Sequence, residues 1–444
     1  MTDPSAHAAP PERTMPWRAV AAAAGVVLLV AVLIAAVALL NDDVGTGAIG
    51  SGSPAPSASV SPSSAETVTS SAGAVTPSPS ASAQGPAAIP ETWTETAVYS
   101  EPGKRYVLGD LMAWSDGIVA VGTLYEDENR NVFGPPPPRS GRVWRSTDGT
   151  DWTDVTPVGT FADFELAHLF EAADGALIVI GQTFSAIDPV SAAWETRDGE
   201  AWTPIELAGL ADGAFVLQVA SGAQGHVAST YVVAEPHPLY SADGRSWEQT
   251  LEAGVGISMV AAGEEGFVAT TFNPDAAEVE VGVVASADGL EWFDSTEPND
   301  GSFLAAPHGA DWLATTSTFN PESIDVDTWG SANGLDWSPL GQMEPATVEI
   351  GDLTCHEAPA VLHGLPTMAI TGTVLLGPCG EGAVMTAGSS YASLDGVEWT
   401  PLPFGDRAYA AGAATIGDRV VIATDARTNR APVIGVTFWI SESP

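Results

Sequence analysis

The side chains of this chain that can take part in chemistry are above all carboxylates: Asp and Glu total 56 against 14 Lys and Arg, a formal net charge of −42. Two carboxylates at the right separation can serve as the acid and base of a glycosidase. Asp325 and Asp327, in Ile324-Asp325-Val326-Asp327, share one face if that stretch is a strand. So acidic a chain offers many such pairs, and a solvated strand edge is the preferred reading of this one. Carboxylates that hold Ca²⁺ need fixed loop spacing, and no EF-hand loop is present. His168, His226, His237, His308, His356 and His363 show no metal-ligand spacing. No Walker loop, dinucleotide fingerprint or Gly-x-Ser-x-Gly elbow occurs. No catalytic residue and no cofactor are assigned on these grounds. The same charge repels phosphate backbones, so nucleic acid is not expected as a partner.

The two cysteines, Cys355 and Cys379, are read as a disulfide if that region lies in an oxidising compartment, with two buried free thiols as the alternative. In the loop-entropy model the bridge would contribute on the order of 3 kcal/mol. The compartment follows from the N-terminus. Ala19 to Leu40 is an uninterrupted run without a charge or proline, about 33 Å long as a helix and sufficient to cross a bilayer core of roughly 30 Å. Arg13 and Arg18 precede it and Asp42 and Asp43 follow, which places residues 1–18 in the cytoplasm and the rest outside. A retained signal anchor is preferred over a cleaved signal peptide ending at Ala36-Val37-Ala38, because signal h-regions are usually about 7 to 15 residues long.

Residues 41–90 are dominated by Ser, Pro, Ala, Gly, Thr and Val with no hydrophobic periodicity, the composition of a disordered linker with a reach of about 35 to 40 Å. Beyond it, the pattern Ser/Thr-x-Asp-Gly-x-x-Trp recurs. Its six copies are Ser146, Asp148, Gly149 and Trp152; Thr196, Asp198, Gly199 and Trp202; Ser241, Asp243, Gly244 and Trp247; Ser286, Asp288, Gly289 and Trp292; Ser331, Asn333, Gly334 and Trp337; and Ser393, Asp395, Gly396 and Trp399. The tryptophans are spaced by 50, 45, 45, 45 and 62 residues, mostly the period of a four-stranded propeller blade.

Asp-Gly between apolar strands supplies the positive φ of a tight hairpin turn, so each copy is expected to close the last hairpin of a blade, with the Ser or Thr and the Asp side chain bonding backbone groups of the turn and the tryptophan packed between neighbouring blades. An aromatic four residues before the Asp position (Trp144, Trp194, Trp329, Tyr391) marks an inward-facing site on the preceding strand. A turn followed by a β-rich run, as in Asp116-Gly117-Ile118-Val119-Ala120-Val121, marks the first hairpin and occurs seven times. The mismatch resolves at the ends. The segment around Trp439 aligns with that around Trp144 and stops at the turn, and Glu91-Thr92-Trp93-Thr94 supplies the missing outer strand. Residues 91–444 are therefore expected to form an all-β, seven-bladed propeller whose last blade is shared between the two ends, which leaves no open edge.

The repeat resembles the Asp-box, or BNR, repeat of sialidase-like propellers, whose form is Ser-x-Asp-x-Gly-x-x-Trp; here Asp and Gly are adjacent and the motif is one residue shorter. The resemblance implies propeller architecture and places the repeats in turns away from the binding face. It also implies a check, since sialidases use three arginines, a Tyr nucleophile paired with Glu, and an Asp acid. Between Ser146 and Gly405 the only arginines are Arg197 and Arg245, both inside the Asp-Gly hairpins. The others of the propeller fall between Arg105 and Arg145 or between Arg407 and Arg430, none in an Arg-Ile-Pro context. The chain is thus sialidase-like without the sialidase catalytic arginines.

Two long loops, Tyr125 to Arg142 and Leu353 to Gly382, are the candidate binding elements, with tolerated insertion as the alternative. The sequence reading is a membrane-anchored, extracytoplasmic, non-enzymatic binding or scaffold module, with an envelope glycan or another extracytoplasmic protein as its partner. The alternative is a divergent glycan-acting hydrolase or lyase.

Overall fold

The computed structural model describes residues 88–126, 138–183, 190–211, 213–232, 235–252, 254–273, 280–296, 298, 302–319, 323–344, 347–350, 353–376, 386–404, 409–425 and 435–442. The proposed cytoplasmic tail, the span Ala19–Leu40, nearly all of the linker and Cys379 lie outside these residues, and nothing is described of the Cys355 side chain. Among the described residues no helix is long and apolar enough to cross a membrane.

Every described element is a strand, and the strands form seven antiparallel sheets arranged as a propeller. Blade 1 runs outward through Arg105–Trp114, Gly117–Tyr125, Arg139–Ser146 and Thr153–Asp154. The inner strands of blades 2 to 7 are Glu165–Glu171, Ala214–Gly222, Gly256–Gly263, Ser302–His308, Leu353–Gly364 and Tyr409–Ile416. Two sheets have a fifth strand. In blade 3 it is the short Glu235–Pro236; in blade 6 it is Thr347–Ile350, which folds back on the start of Leu353–Gly364. Leu353 to Gly382, expected as a candidate binding loop, is instead mostly the inner and second strands of blade 6, Leu353–Gly364 and Ala369–Leu376, and the extra strand of that blade begins before it at Thr347.

A second strand of a blade is pressed by neighbouring blades on both faces, so it has no polar side to alternate with. Gly117–Tyr125 is accordingly buried along its whole length. Outer strands such as Thr153–Asp154 and Thr400–Pro401 are only two residues long and exposed. The core is distributed: seven clusters of buried side chains sit one at each junction between blades. At the junction of blades 7 and 1, Trp152 stacks on Phe438 with ring centroids 3.9 Å apart. At the next, Phe161 meets Trp194 and Trp202 edge-on at 5.1 and 5.8 Å.

The ring closes as the sequence alignment requires. Trp93–Tyr99 pairs with Val436–Ser441, with Thr94 opposite Ile440 and Glu95 opposite Trp439. The register repeats Thr153 opposite Arg145 and Asp154 opposite Trp144 in blade 1. Trp93 packs edge-on against Phe404 at 5.2 Å, and Thr92 Oγ1 donates to Glu442 Oε2 at 3.1 Å.

Candidate ligand site at the mouth of blades 1 and 2

All six Asp-Gly repeats stand in turns between third and outer strands, on one face of the ring. In the first, Ser146 Oγ accepts from the Gly149 N–H at 2.8 Å and donates to Asp148 Oδ1 at 3.1 Å. That same carboxylate oxygen accepts from Thr150 N at 2.8 Å and Asp151 N at 3.0 Å. The turns at Asp198, Asp243, Asp288 and Asp395 repeat these bonds, and Asn333 Oδ1 accepts from Leu335 N and Asp336 N at 2.9 Å each. Only the glycine has positive φ, for instance 76° at Gly149. The turn expected at each repeat thus needs one left-handed residue only, because the Asp side chain caps successive N–H groups.

The glycine is needed for proximity as well. A Cβ on Gly149 would lie 2.7 Å from side-chain atoms of Ile440 and Val421 in the preceding blade. These bonds hold the turn carboxylates below their ordinary range, Asp243 at about 2, chiefly through the Ser246 N–H. Because Asn333 does the same work naturally, Asp288→Asn is expected to cost no more than about 0.5 kcal/mol, whereas Asp288→Ala uncaps two N–H groups and is expected to cost about 1–2 kcal/mol. Denaturant unfolding distinguishes them, and equal losses would refute the capping account.

Arg197 and Arg245 lie inside the turns on this face: Arg197 pairs with Asp174 within blade 2, and Arg245 ties blade 3 to blade 2, its Nη2 bonding Glu195 Oε2 at 2.6 Å and Asp174 Oδ1 at 3.2 Å. They are structural, as their positions in the sequence imply.

The opposite face carries a constellation that sequence reasoning missed. Arg105, Tyr125 and Arg139 are partners across three successive strands of blade 1, so their side chains share one row at the channel end away from the Asp-Gly turns. Glu165, first residue of the inner strand of blade 2, faces that row. Arg139 Nη1 lies 2.7 Å from Glu165 Oε1, and its Nε donates to Asp163 O at 3.1 Å. The Tyr125 hydroxyl also bonds Glu165; burial first, and the Glu165 charge second, push the phenol pKa up, so it is un-ionised at neutral pH. The Arg105 guanidinium carbon sits 4.0 Å from the centroid of the Tyr125 ring. Among the described residues no carboxylate pairs with Arg105, and its Nε is buried without a partner. The signal was available: Tyr125 and Arg139 both lie within the first candidate loop, and counting the register from Gly117 places them in line with Arg105.

The channel wall is formed differently. Six of the seven inner strands carry a β-bulge near mid-strand, which re-aims the following side chain. Three such side chains reach the next blade's inner strand: Asp110 Oδ2 accepts from Leu169 N at 2.9 Å, His168 Nε2 meets Val216 O at 3.1 Å, and Gln218 Oε1 accepts from Val260 N at 2.9 Å. Burial raises the Asp110 pKa to about 6 against the pull of its two N–H donors, and lowers those of His168 and His363 to about 4. A cavity of about 260 Å³ is lined by blades 3 to 7, mostly by small and apolar groups with Gln218 and His363 among them. Among the described residues no cluster of three or more His, Cys, Asp or Glu could hold a metal ion. Asp327 accepts from Gln342 on the neighbouring outer strand at 2.9 Å.

No protein-family model matches the chain, and no curated protein matches it. Among solved structures it is similar to a protein of unknown function from Dyadobacter fermentans (13% identity, 80% of this chain and 98% of that one, TM-score 0.40). It is also similar to the Trypanosoma rangeli sialidase in complex with the inhibitor DANA (13%, 76% and 55%, 0.39). A third is a family 117 glycoside hydrolase produced by Zobellia galactanivorans (9%, 79% and 90%, 0.34). Likeness at this level assigns no activity: the chain is an all-β, seven-bladed propeller with sialidases and glycoside hydrolases among its structural neighbours.

Proposed function

We propose that this is a binding module of the Asp-box type, held outside the membrane by Ala19–Leu40 and its linker, which presents the Arg105 face to an acidic envelope glycan. The observation that carries the reading is an Arg105 guanidinium stacked on Tyr125 that pairs with no carboxylate among the described residues, in a chain of net charge −42. A surface otherwise so negative repels an acidic ligand, so a guanidinium at a channel mouth without such a partner among the described residues fixes where such a ligand can sit. The seven sheets are built wholly from residues 93–441, so residues 88–444 can be studied alone. On an array of acidic and neutral saccharides, with calcium and then with chelator, the propeller is expected to retain acidic members selectively under both conditions. Arg105→Ala should weaken that binding roughly ten- to a hundredfold, the scale of one charge-assisted contact of about 1.5–3 kcal/mol. Equal retention of neutral and acidic glycans, or an Arg105→Ala protein that binds unchanged, would exclude this face.

The pairing of Tyr125 with Glu165 beside Arg105 favours one second reading, a divergent glycan-acting hydrolase or lyase. Against it, Tyr125 is only 8% exposed and its phenol holds its proton. Release of reducing ends from the retained glycans, lost in Tyr125→Phe, would establish it over simple binding.

A further inference from the structure

A second surface, on the rim of blades 4 to 6, has a different character. Of the seven large apolar side chains exposed among the described residues, four belong to this arc: Leu290 (42% exposed), Phe293 (57%), Leu340 (38%) and Val397 (41%). They are mechanically linked. A Cβ on Gly396 would lie 3.0 Å from Leu340 Cδ1 and one on Gly341 3.5 Å from Val397 Cγ1, so blade 5 meets the turn of blade 6 there. Ser295 Oγ, just beyond Phe293, donates to Leu335 O in the turn of blade 5 at 2.8 Å.

The arc contrasts with the other half of the ring at equivalent positions. The residue after the turn glycine is Thr150, Glu200 and Arg245 in blades 1 to 3, and Leu290, Leu335 and Val397 in blades 4 to 6. In blades 1 to 3 that face is tied by the ion pairs of Arg145, Arg197 and Arg245. No Lys or Arg occurs between Arg245 and Arg407, whereas Glu291, Asp294, Asp336 and Glu398 flank the exposed apolar groups. None of the bonds that form the turns uses Leu290, Phe293 or Val397 side chains, so the fold does not require them to be apolar.

We infer that this arc is a docking surface for a basic polypeptide segment with an apolar centre. Exposed apolar groups collected on one rim mark an interaction site. A border made only of carboxylates selects a partner that brings Lys or Arg around its own apolar contact. Anionic lipid is repelled by the same border, and the same arc on a second copy brings only like charge.

The test uses residues 88–444 and two peptides of equal charge and length, one alternating Lys with Leu in amphipathic register and one with Ser in place of Leu, followed by fluorescence anisotropy. The wild-type propeller is expected to bind the Lys/Leu peptide saturably, one to one, at least tenfold more tightly than the Lys/Ser peptide. Phe293→Ser/Leu340→Ser/Val397→Ser should abolish that tenfold preference. Val98→Ser/Val158→Ser/Val190→Ser, which removes three exposed side chains elsewhere, should keep it, and thermal unfolding of both triple variants checks that they fold. No preference in the wild type, or its equal loss in both variants, overturns the inference. So do concentration-dependent dimers in sedimentation that vanish only in the rim variant, which would make a second copy the occupant. Co-flotation with phosphatidylcholine vesicles that vanishes only in that variant would overturn it in favour of lipid.

Discussion

Removal of residues 88–99 is expected to abolish cooperative unfolding and the monomeric state of the propeller. These residues contribute the outer strand of blade 7, and their partners lie more than three hundred positions away at Val436–Ser441. Without them Val436–Ser441 presents an unpaired edge, the template for pairing with another chain. The loss extends to two junctions: Ile89 and Trp93 pack into the cluster between blades 6 and 7, and Ala97 and Tyr99 into that between blades 7 and 1. In a ring each junction is held by both neighbours, so opening one leaves its two flanking blades half-covered. A domain is stable by only about 5–15 kcal/mol, and losing a strand with four packed apolar side chains takes a large part of that. Sedimentation and thermal denaturation of residues 100–444 read the effect, and a synthetic peptide of residues 88–99 added in trans should restore it. A truncated chain that stays monomeric with an unchanged midpoint would mean that closure depends on other contacts.

That closure was legible from sequence because it rests on a repeat. Trp93 could be aligned with Trp152 by motif alone, and the register of Thr94 against Ile440 follows from that alignment. The seven first hairpins were legible for the same reason: a strand buried on both faces becomes an uninterrupted apolar run after a turn, as at Gly117 or Leu177. What the repeat does not encode was missed. The Ser or Thr and Asp types of the repeat do signal the side-chain bonds to the turn backbone that are observed, but not that the glycine alone would take positive φ. The bulges that aim Asp110, His168 and Gln218 at the next blade insert one residue into strands whose composition is unremarkable. The charged row was missed for a related cause: Arg105, Tyr125 and Arg139 are 20 and 14 positions apart, and become neighbours only when strand register is counted through the hairpins. Arg105 and Arg139, read from the sequence only as arginines lying between Arg105 and Arg145, are members of one row.

The buried histidines make the second large prediction, a loss of stability on mild acidification. His168, His226 and His363 each have a pKa lowered from the usual 6.5 to about 4, in every case chiefly by burial. Below pH 6.5 the unfolded chain takes up protons that the folded chain refuses. The stabilisation from neutral histidine is therefore complete above 6.5 and is lost as the pH falls toward 4, by about 2–3 kcal/mol per histidine at pH 4.5. Asp110 acts in the opposite sense. Its folded pKa of about 6 lies above the ordinary 3.8, so its contribution is complete below 3.8, is lost as the pH rises through 6, and at pH 4.5 returns about 2 kcal/mol relative to pH 7.5. The depressed turn aspartates, Asp243 among them, add their losses only below the ordinary carboxylate pKa, outside this window. Three histidines against Asp110 and Glu171, whose pKa burial also raises, leave a net fall between pH 7.5 and 4.5. Denaturant unfolding at the two pH values measures it, and His168→Gln/His363→Gln, which keeps a side-chain donor near Val216 O, should remove about two thirds of the histidine share. The decisive comparison is the difference between the two pH values in each protein, since a uniform destabilisation of the variant cancels. If the double variant retains the full acid-induced loss, the histidines are not its source and the titrating groups must lie elsewhere in the ring.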